Sequence, residues 1–374
     1  MIKVLHILSD TNVGGAGRLM VNYLHNFDRT KFDIRVVLPK DSQLIPFVTA
    51  EHYPVVEIEH GRDKSFDMAA MREIKKLIRE WKPDIVHTHS AFSGKLAAWL
   101  CHVPCRFYTR HSAFPPSKKL TTFPGKQING LVNNTLATDI VAVAEAAKEN
   151  LTDTGVDPKK ITVIINGSEE VRRIGAKENL ALKQELKIPE SAFICGISAR
   201  LEPYKGHATL LEAAKTVVSE HPDVVFFIIG SGSCDASLKD QAAALGIADK
   251  VRFIGFVNDV APYYNIMDLN LNCSWGTETS CLALSEGMSL SIPAVATTYG
   301  GNPYMITEGV NGLLVPEKDP DALADAILTL IWDPELLAKM SEGARAMYEE
   351  KFTASGMTRR LEELYVNSVN RHLK

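Results

Sequence analysis

Residues 193–229 read FICGISARLEPYKGHATLLEAAKTVVSEHPDVVFFII. The apolar run Phe193–Ser198 reads as a strand, His207–Glu220 as a helix and Val224–Ile229 as a second strand. Strand, helix, strand in this spacing is one βαβ unit of a parallel sheet covered on both faces. Val224–Ile229 is also the best apolar run of the chain, far short of the ~20 residues a membrane-spanning helix needs.

The same alternation continues in both directions. Downstream, Ser237–Leu245 reads as a helix, and Val251–Phe253, Leu269–Asn272, Ala294–Ala296 and Gly312–Val315 read as strands. Upstream, Ile2–Leu8, Asp33–Leu38, Pro83–His89, Arg106–Thr109 and Asp139–Val143 are strands. Helices Arg18–Asn26, Met68–Trp81 and Gly94–Cys101 lie between them. Two runs of the pattern in 374 residues, at roughly 150 residues per domain, give two doubly wound domains. The polar stretch Gly167–Pro189 is the expected boundary. The assignment is 1–168 for the first domain and 169–353 for the second. The amphipathic last helix starts at Ala354, and 354–374 returns to the first domain.

Composition narrows the function. With 45% apolar and 23% charged residues the chain is an ordinary globular protein. Its net charge of -4 argues against a dedicated nucleic-acid binder. The six cysteines, at 101, 105, 195, 234, 273 and 281, include no CxxC pair, so a disulfide framework or zinc site is not expected and a reducing compartment is. The first residues are too short and polar-flanked for a signal peptide, and the expected location is cytoplasmic. One segment departs from the average. Ile85–Thr138 holds no Asp or Glu but has Lys95, Arg106, Arg110, Lys118, Lys119 and Lys126, with Phe107, Tyr108, Phe114, Pro115, Pro116, Phe123 and Pro124 among them. It reads as a basic surface loop or a patch facing an anionic acceptor or lipid headgroups.

Four motifs carry chemistry. Gly14-Gly15-Ala16-Gly17-Arg18 follows the first strand and opens a helix, where glycines let backbone N–H groups approach an anion. It is not G-x-G-x-x-G and no acid lies about 20 residues on, which disfavours a dinucleotide dehydrogenase. Arg200 and Lys205 sit on a strand-to-helix loop and can converge on one diphosphate. Glu278 and Glu286 flank Thr279-Ser280-Cys281-Leu282. On one continuous helix they would lie about 12 Å apart along its axis, too far for a glycosidase pair at ~5–9.5 Å. They could touch two ends of an extended ligand, with the N–H groups around Ser280–Leu282 holding an anion between them and Thr279 or Ser280 as cap. Gly300-Gly301 forms a turn after a strand. His87 and His89 read as packed histidines, and Trp275 equally as core or ligand platform.

These features resemble glycosyltransferase family 4 of the GT-B fold over essentially the whole chain. The most specific part runs from Ser198 to Pro316: Arg200, Lys205-Gly206, Gly230-Ser-Gly232, Gly255-Phe256, the two glutamates and the Gly-Gly turn. The resemblance implies an α/β protein of two facing Rossmann-like domains with the active site in the cleft. The donor would sit on the second domain, the acceptor on the first, and the last helix would cross back. It implies that Arg200 and Lys205 bind the donor diphosphate and Glu286 the ribose hydroxyls. Glu278 contacts the transferred sugar, and the amides of Thr279, Ser280, Cys281 and Leu282 hold the distal phosphate. Gly230 and Phe256 border the nucleotide, Gly14, Gly15 and Arg18 face the phosphates, and His111 lines the sugar pocket. Two positions depart from the family: Tyr304 stands where a glutamate is common, and Thr279 where glycine is.

The expected activity is transfer of a sugar from a nucleotide diphosphate donor, UDP-linked, to an acceptor hydroxyl with retention. It would serve bacterial exopolysaccharide, lipopolysaccharide or glycolipid synthesis. No cofactor and no metal are expected, since cationic side chains take the place of Mg²⁺. The expected partners are the nucleotide sugar, a sugar, glycolipid or polysaccharide acceptor, and an anionic membrane surface. Two alternatives stand beside it: a sugar-nucleotide epimerase of the same fold and a non-catalytic nucleotide-sugar-binding protein.

Overall fold

A computed structural model describes residues 1–112 and 116–373, so Phe114 and Pro115 of the aromatic stretch lie outside the described residues. The chain divides into two compact units, Met1–Gly167 with Ala354–Lys374, and Ser168–Thr353.

The first unit holds strands β1 (Ile2–Leu8), β2 (Phe32–Pro39), β3 (Val55–Ile58), β4 (Ile85–His89), β5 (Cys105–Arg110), β6 (Asp139–Ala142) and β7 (Ile161–Val163). They form one parallel sheet in the order β3-β2-β1-β4-β5-β6-β7. The second unit holds β8 (Phe193–Ser198), β9 (Val224–Ile229), β10 (Val251–Gly255), β11 (Leu269–Asn272), β12 (Ala294–Thr297) and β13 (Gly312–Val315). Their order is β10-β9-β8-β11-β12-β13, again all parallel. In both sheets the strand order reverses beside the first strand, at β1/β4 and at β8/β11. Loops leaving the carboxyl ends there run to opposite faces and open a crevice, where ligands of doubly wound sheets bind.

The elements follow from local chemistry. All six residues of β9 are buried, which requires helices on both faces. Helix Met68–Trp81 begins where the Asp67 side chain accepts from the Ala69 and Ala70 N–H groups. It buries Ala70, Met71, Ile74, Ile78 and Trp81 at helical spacing, each large apolar side chain contributing roughly 1.5–3 kcal/mol, and stops at Lys82 in the left-handed region. The last helix, Ala354–His372, turns Met357, Leu361 and Tyr365 into the core that also holds Val4, Leu19 and Phe107 of the first unit. Its Ser368 hydroxyl donates to Asp139 at 2.6 Å, and Arg371 pairs with the same carboxylate.

Some elements differ from the sequence reading. The first helix is Gly15–Asn26, so Gly15 and Gly17 lie inside it; Gly17 is buried against Leu44. Residues 167–189 are more than a polar linker: they include helix Ala176–Glu185, and from Ser168 onward they belong to the second unit. Helices Pro320–Trp332 and Pro334–Met347 escaped the reading, although each opens on Asp-Pro. Asp319 and Asp333 accept from the Ala322 and Leu336 N–H groups. No helix of the described residues is long and apolar enough to cross a membrane.

Candidate active site

In the second unit the predicted residues gather at the carboxyl ends of β8, β9, β10 and β11. Arg200 and Lys205 leave β8, Gly230 leaves β9, Gly255 and Phe256 end β10, and Glu278 follows β11. A Cβ at Gly230, whose φ is +138°, would come within 2.0 Å of the Ala199 carbonyl oxygen, so the β9 loop can lie this close to the β8 loop only as glycine. The Gly230 N–H donates to Gly255 O at 2.8 Å and ties β10 into the same edge. Phe256 beside it is 63% exposed, a large apolar ring held out at the strand ends.

Lys205 and Glu278 form the centre of this edge. Lys205 Nζ donates to Glu278 Oε2 at 2.8 Å, and the two side chains are only 14% and 9% exposed. The same carboxylate oxygen accepts from Ser274 Oγ at 2.9 Å and Asn272 Nδ2 at 3.2 Å. Behind them Asn302, fully buried, donates to Asn272 Oδ1 and Thr297 Oγ1. Burial by itself would lower the Lys205 pKa, but the Glu278 charge and hydrogen bond outweigh it, and the net shift is upward. Arg200 is exposed, and its guanidinium donates to Tyr204 Oη at 2.8 Å, an aim that leaves the fork at the rim of the crevice.

Glu278 and Glu286 do not share a helix. Glu278 stands in the loop, and the helix runs Leu282–Ser289 with Cys281 as its cap residue, in place of Thr279 or Ser280. Glu286, half-buried, sits in the second turn. The Cys281 thiol is pushed up to about 12 chiefly by burial and then by the Glu278 charge, which makes it a poor nucleophile. The Gly-Gly turn shapes this loop. A Cβ on Gly301 would lie 1.2 Å from the Thr279 carbonyl oxygen, and one on Gly300, at φ +60°, 2.4 Å from that of Glu278. Tyr304 follows on the short helix Asn302–Met305 and is exposed. Trp275 packs under Lys318, whose Nζ lies 3.8 Å from the ring centroid.

Gly14, Gly15, Arg18 and His111 belong to the first unit. Gly14 caps helix 15–26 after β1, with its carbonyl accepting from the Arg18 N–H. His111 follows β5, and its Nε2 meets Nδ1 of His89 at 2.9 Å. The surrounding protein lowers its pKa to about 4 by burial, so the ring is neutral near pH 7. The acid-free segment splits on inspection. Lys95 is buried, with Nζ 3.7 Å from the Tyr108 ring and donating to Asn133 Oδ1, and burial lowers its pKa to about 8. Arg106 is spent on the carbonyls of Val103 and Leu136. Lys118 and Lys119 remain on the surface beside Leu120, Phe123, Ile128 and Leu131; Phe123 is 82% and Leu131 70% exposed. Sequence reasoning missed Asn272, Ser274, Thr297 and Asn302, which support Glu278, and His6 and Tyr365, which join His87 and His89. His6, Asn272 and Thr297 had as their only signal a polar residue on a strand, whereas Ser274, Asn302 and Tyr365 lie in a loop and on helices and carried no such signal.

Comparison with known proteins agrees with this architecture. The family described as Glycosyltransferase Family 4 matches residues 13–170, and that described as Glycosyl transferases group 1 matches residues 178–347. The chain is 25% identical over 380 residues to a UDP-Gal:alpha-D-GlcNAc-diphosphoundecaprenol alpha-1,3-galactosyltransferase of Escherichia coli, covering 98% of this chain and 97% of that one. It is 24% identical to the capsular polysaccharide biosynthesis glycosyltransferase CapM of Staphylococcus aureus, covering 97% and 96%. Among solved structures, Anabaena HepE in complex with UDP superposes with a TM-score of 0.84 at 20% identity, covering 98% of this chain and all of that one.

Proposed function

The chain belongs to glycosyltransferase family 4, and from that membership we propose that it moves a sugar from a UDP-linked donor to an acceptor hydroxyl with retention at the anomeric carbon. The observation that carries this reading is the Lys205–Glu278 pair, 2.8 Å apart and almost buried at the point where the strand order of the second sheet reverses. A cation and an anion held there suit a ligand that ends in a diphosphate on one side and sugar hydroxyls on the other.

In the reaction the bond from the anomeric carbon to the donor phosphate oxygen breaks, and negative charge builds on the departing diphosphate. Arg200, Lys205 and the N–H groups that open helix 282–289 receive that charge. Each well-placed donor is worth on the order of 3 kcal/mol. These cations do the work a divalent ion would otherwise do. Glu278 binds the sugar hydroxyls, Glu286 the ribose, and Phe256 and Gly230 border the base. The acceptor oxygen attacks from the face the diphosphate leaves, and its proton passes to the leaving phosphate oxygen. Of the first unit, Gly14, Gly15 and Arg18 serve the phosphates and His111 the transferred sugar.

The relatives named above act on an undecaprenol-linked sugar and in capsule synthesis. An acceptor of that kind, lipid-linked or polysaccharide, accounts for the exposed Leu120, Phe123, Ile128 and Leu131 beside Lys118 and Lys119: apolar tips to enter a bilayer surface and cations for its anionic headgroups. The test is a thermal-shift screen with UDP-, GDP- and ADP-sugars. A UDP-sugar at 100 times its dissociation constant should add about 2.7 kcal/mol of stability. No shift with any of the three donors would remove the proposal.

A further inference from the structure

The core of the first unit contains an unbroken chain of side-chain hydrogen bonds that the transfer reaction does not by itself require. Thr109 Oγ1 meets His87 Nε2 at 2.6 Å, and His87 Nδ1 meets Tyr365 Oη. Tyr365 Oη meets His6 Nε2 at 3.4 Å, His6 Nδ1 meets His89 Nε2 at 3.1 Å, and His89 Nδ1 meets His111 Nε2 at 2.9 Å. Strand register builds it. His6 on β1 stands opposite His87 on β4, and His89, two residues on and therefore on the same face, stands opposite Thr109 on β5. Helix 354–372 adds Tyr365 to that face. Thr109, His6, His87 and Tyr365 are fully buried and His89 is 1% exposed.

Among the described residues the buried Tyr365 hydroxyl meets only His87 Nδ1 and His6 Nε2 and must give its one proton to one of them, so this chain admits only two directions. A neutral imidazole has one donor and one acceptor nitrogen, and a hydroxyl gives one proton. The Thr109 hydroxyl decides between them. Among the described residues its only partner is His87 Nε2, and a buried O–H left without an acceptor costs about 1–3 kcal/mol. It therefore donates to His87 Nε2. His87 then carries its proton on Nδ1 and donates to Tyr365. Tyr365 donates to His6 Nε2, His6 Nδ1–H to His89 Nε2, and His89 Nδ1–H to His111 Nε2. The last ring must carry its proton on Nδ1. Burial, which lowers the pKa of all four rings, keeps each of them neutral so that the direction is preserved.

A metal is the other occupant three buried histidines suggest, and His6, His87 and His89 are close enough together. The rings argue against it. His87 stacks on His89 at 4.4 Å and 24°, while His6 lies edge to edge with His89, its Nδ1 committed to the 3.1 Å bond with His89 Nε2. Imidazole lone pairs lie in the ring plane, so near-parallel rings do not aim them at one point between the planes, and every nitrogen of the three already has a hydrogen-bond partner.

We propose that Thr109, His87, Tyr365, His6 and His89 are positioning residues that fix His111 as a neutral ring protonated on Nδ1, a hydrogen-bond donor rather than a base. Its use toward the sugar or acceptor oxygen rests on the family-4 reading above, but the tautomer does not. Selectively ¹⁵N-histidine-labelled full-length protein at pH 7.5 would show it by long-range ¹H–¹⁵N correlation, with the His111 signals identified by their loss in His111→Gln. The expected result is a proton on Nδ1 of His111. Tyr365→Phe keeps the ring and cuts the chain, and Thr109→Val removes its first donor. Each should turn His111 into a mixture of tautomers, and Thr109→Ser should restore the single one. A proton on Nε2 in the parent protein, or an unchanged Nδ1 proton in folded Thr109→Val, overturns the proposal. Should Tyr365→Phe fail to fold, the parent protein and Thr109→Val still decide. In the transfer assay Thr109→Val should lower kcat about twofold, in proportion to the fraction of His111 left protonated on Nδ1, with donor KM little changed. Absence of any transfer by the parent protein would fail the functional reading while leaving the tautomer result intact.

Discussion

Lys205→Ala is the obvious probe of the proposed diphosphate site, and the structure says it will do more than remove activity. Lys205 is 14% and Glu278 9% exposed, and they meet at 2.8 Å. Removing one member of such a pair leaves a nearly buried charge unpaired, which costs 3–5 kcal/mol in general. Ser274 and Asn272 still serve the Glu278 carboxylate, so Lys205→Met should sit near the lower end, about 3 kcal/mol. Glu278→Gln leaves Lys205 with the Thr277 carbonyl at 3.3 Å and should cost a similar amount. The double variant removes both charges and should cost only about 3–4 kcal/mol, a coupling of about 2–3 kcal/mol. For a unit of this size each kcal/mol moves the melting temperature by roughly 2–4 °C. Each single variant should therefore melt roughly 6–12 °C low, and the double variant little lower. Urea unfolding of the four proteins at pH 7.5 measures the cycle. The upward shift of the Lys205 pKa means its stabilisation is fully present below about 10.5 and fades only as pH rises through the folded value, so the assay pH does not blur it. Additive single variants would refute the coupled pair and return loss of activity in Lys205→Ala to ligand binding alone.

Three further outcomes follow from the same geometry. The buried rings of His6, His87 and His89 are neutral in the folded state, with pKa values lowered by burial, to about 3 for His6. Their contribution is present above the unfolded value of about 6.5 and is lost as pH falls toward the folded one. His6 should cost about 2 kcal/mol between pH 7.5 and 5, and His87 and His89 should add to the loss in the same direction; a thermal midpoint by circular dichroism that is equal at both pH values would contradict this. Gly301→Ala must displace the Thr279 carbonyl, 1.2 Å from the new Cβ. It should cost roughly 1–3 kcal/mol as overpacking and abolish donor-induced thermal stabilisation, whereas retained donor stabilisation would show that the turn does not shape the site. Phe123→Ser with Leu131→Ser should lower sedimentation with anionic liposomes and leave turnover on a soluble acceptor unchanged. Lys118→Glu with Lys119→Glu should do the same by roughly 1 kcal/mol per charge, and equal sedimentation would count against the membrane surface.

Much of the fold was legible because its signals are local. Phe193–Ser198, His207–Glu220 and Val224–Ile229 are apolar runs and periodicities that neighbours only reinforce, and the structure reproduces their limits. What escaped depends on neighbours. Strands β3 and β7 are the two edges of the first sheet, mostly not buried, and Glu57 and Thr162 interrupt their apolar runs. Lys95 looked like surface charge, but its stem is buried and its ammonium lies over Tyr108. Arg200, Lys205 and Glu278 could be named from loop position after strands. That Lys205 and Glu278, 73 residues apart along the chain, neutralise one another could not, because it depends on β8 lying beside β11. The histidine chain is the same case. His6, His87, Thr109 and Tyr365 are unremarkable singly, and only strand register and the return of the last helix bring them together.

The central claim is that the carboxyl end of the second sheet grips a nucleotide diphosphate. Arg200 tests it most cleanly, since its side chain is exposed and its one described side-chain hydrogen bond is to Tyr204, so its loss should leave the fold intact. Calorimetric titration of UDP into the parent protein and into Arg200→Ala should show binding to the first and a dissociation constant raised about 10–100-fold in the second, the worth of a charge-assisted hydrogen bond of roughly 1.5–3 kcal/mol. No binding of UDP to the parent protein, or equal affinity in both, would contradict the account.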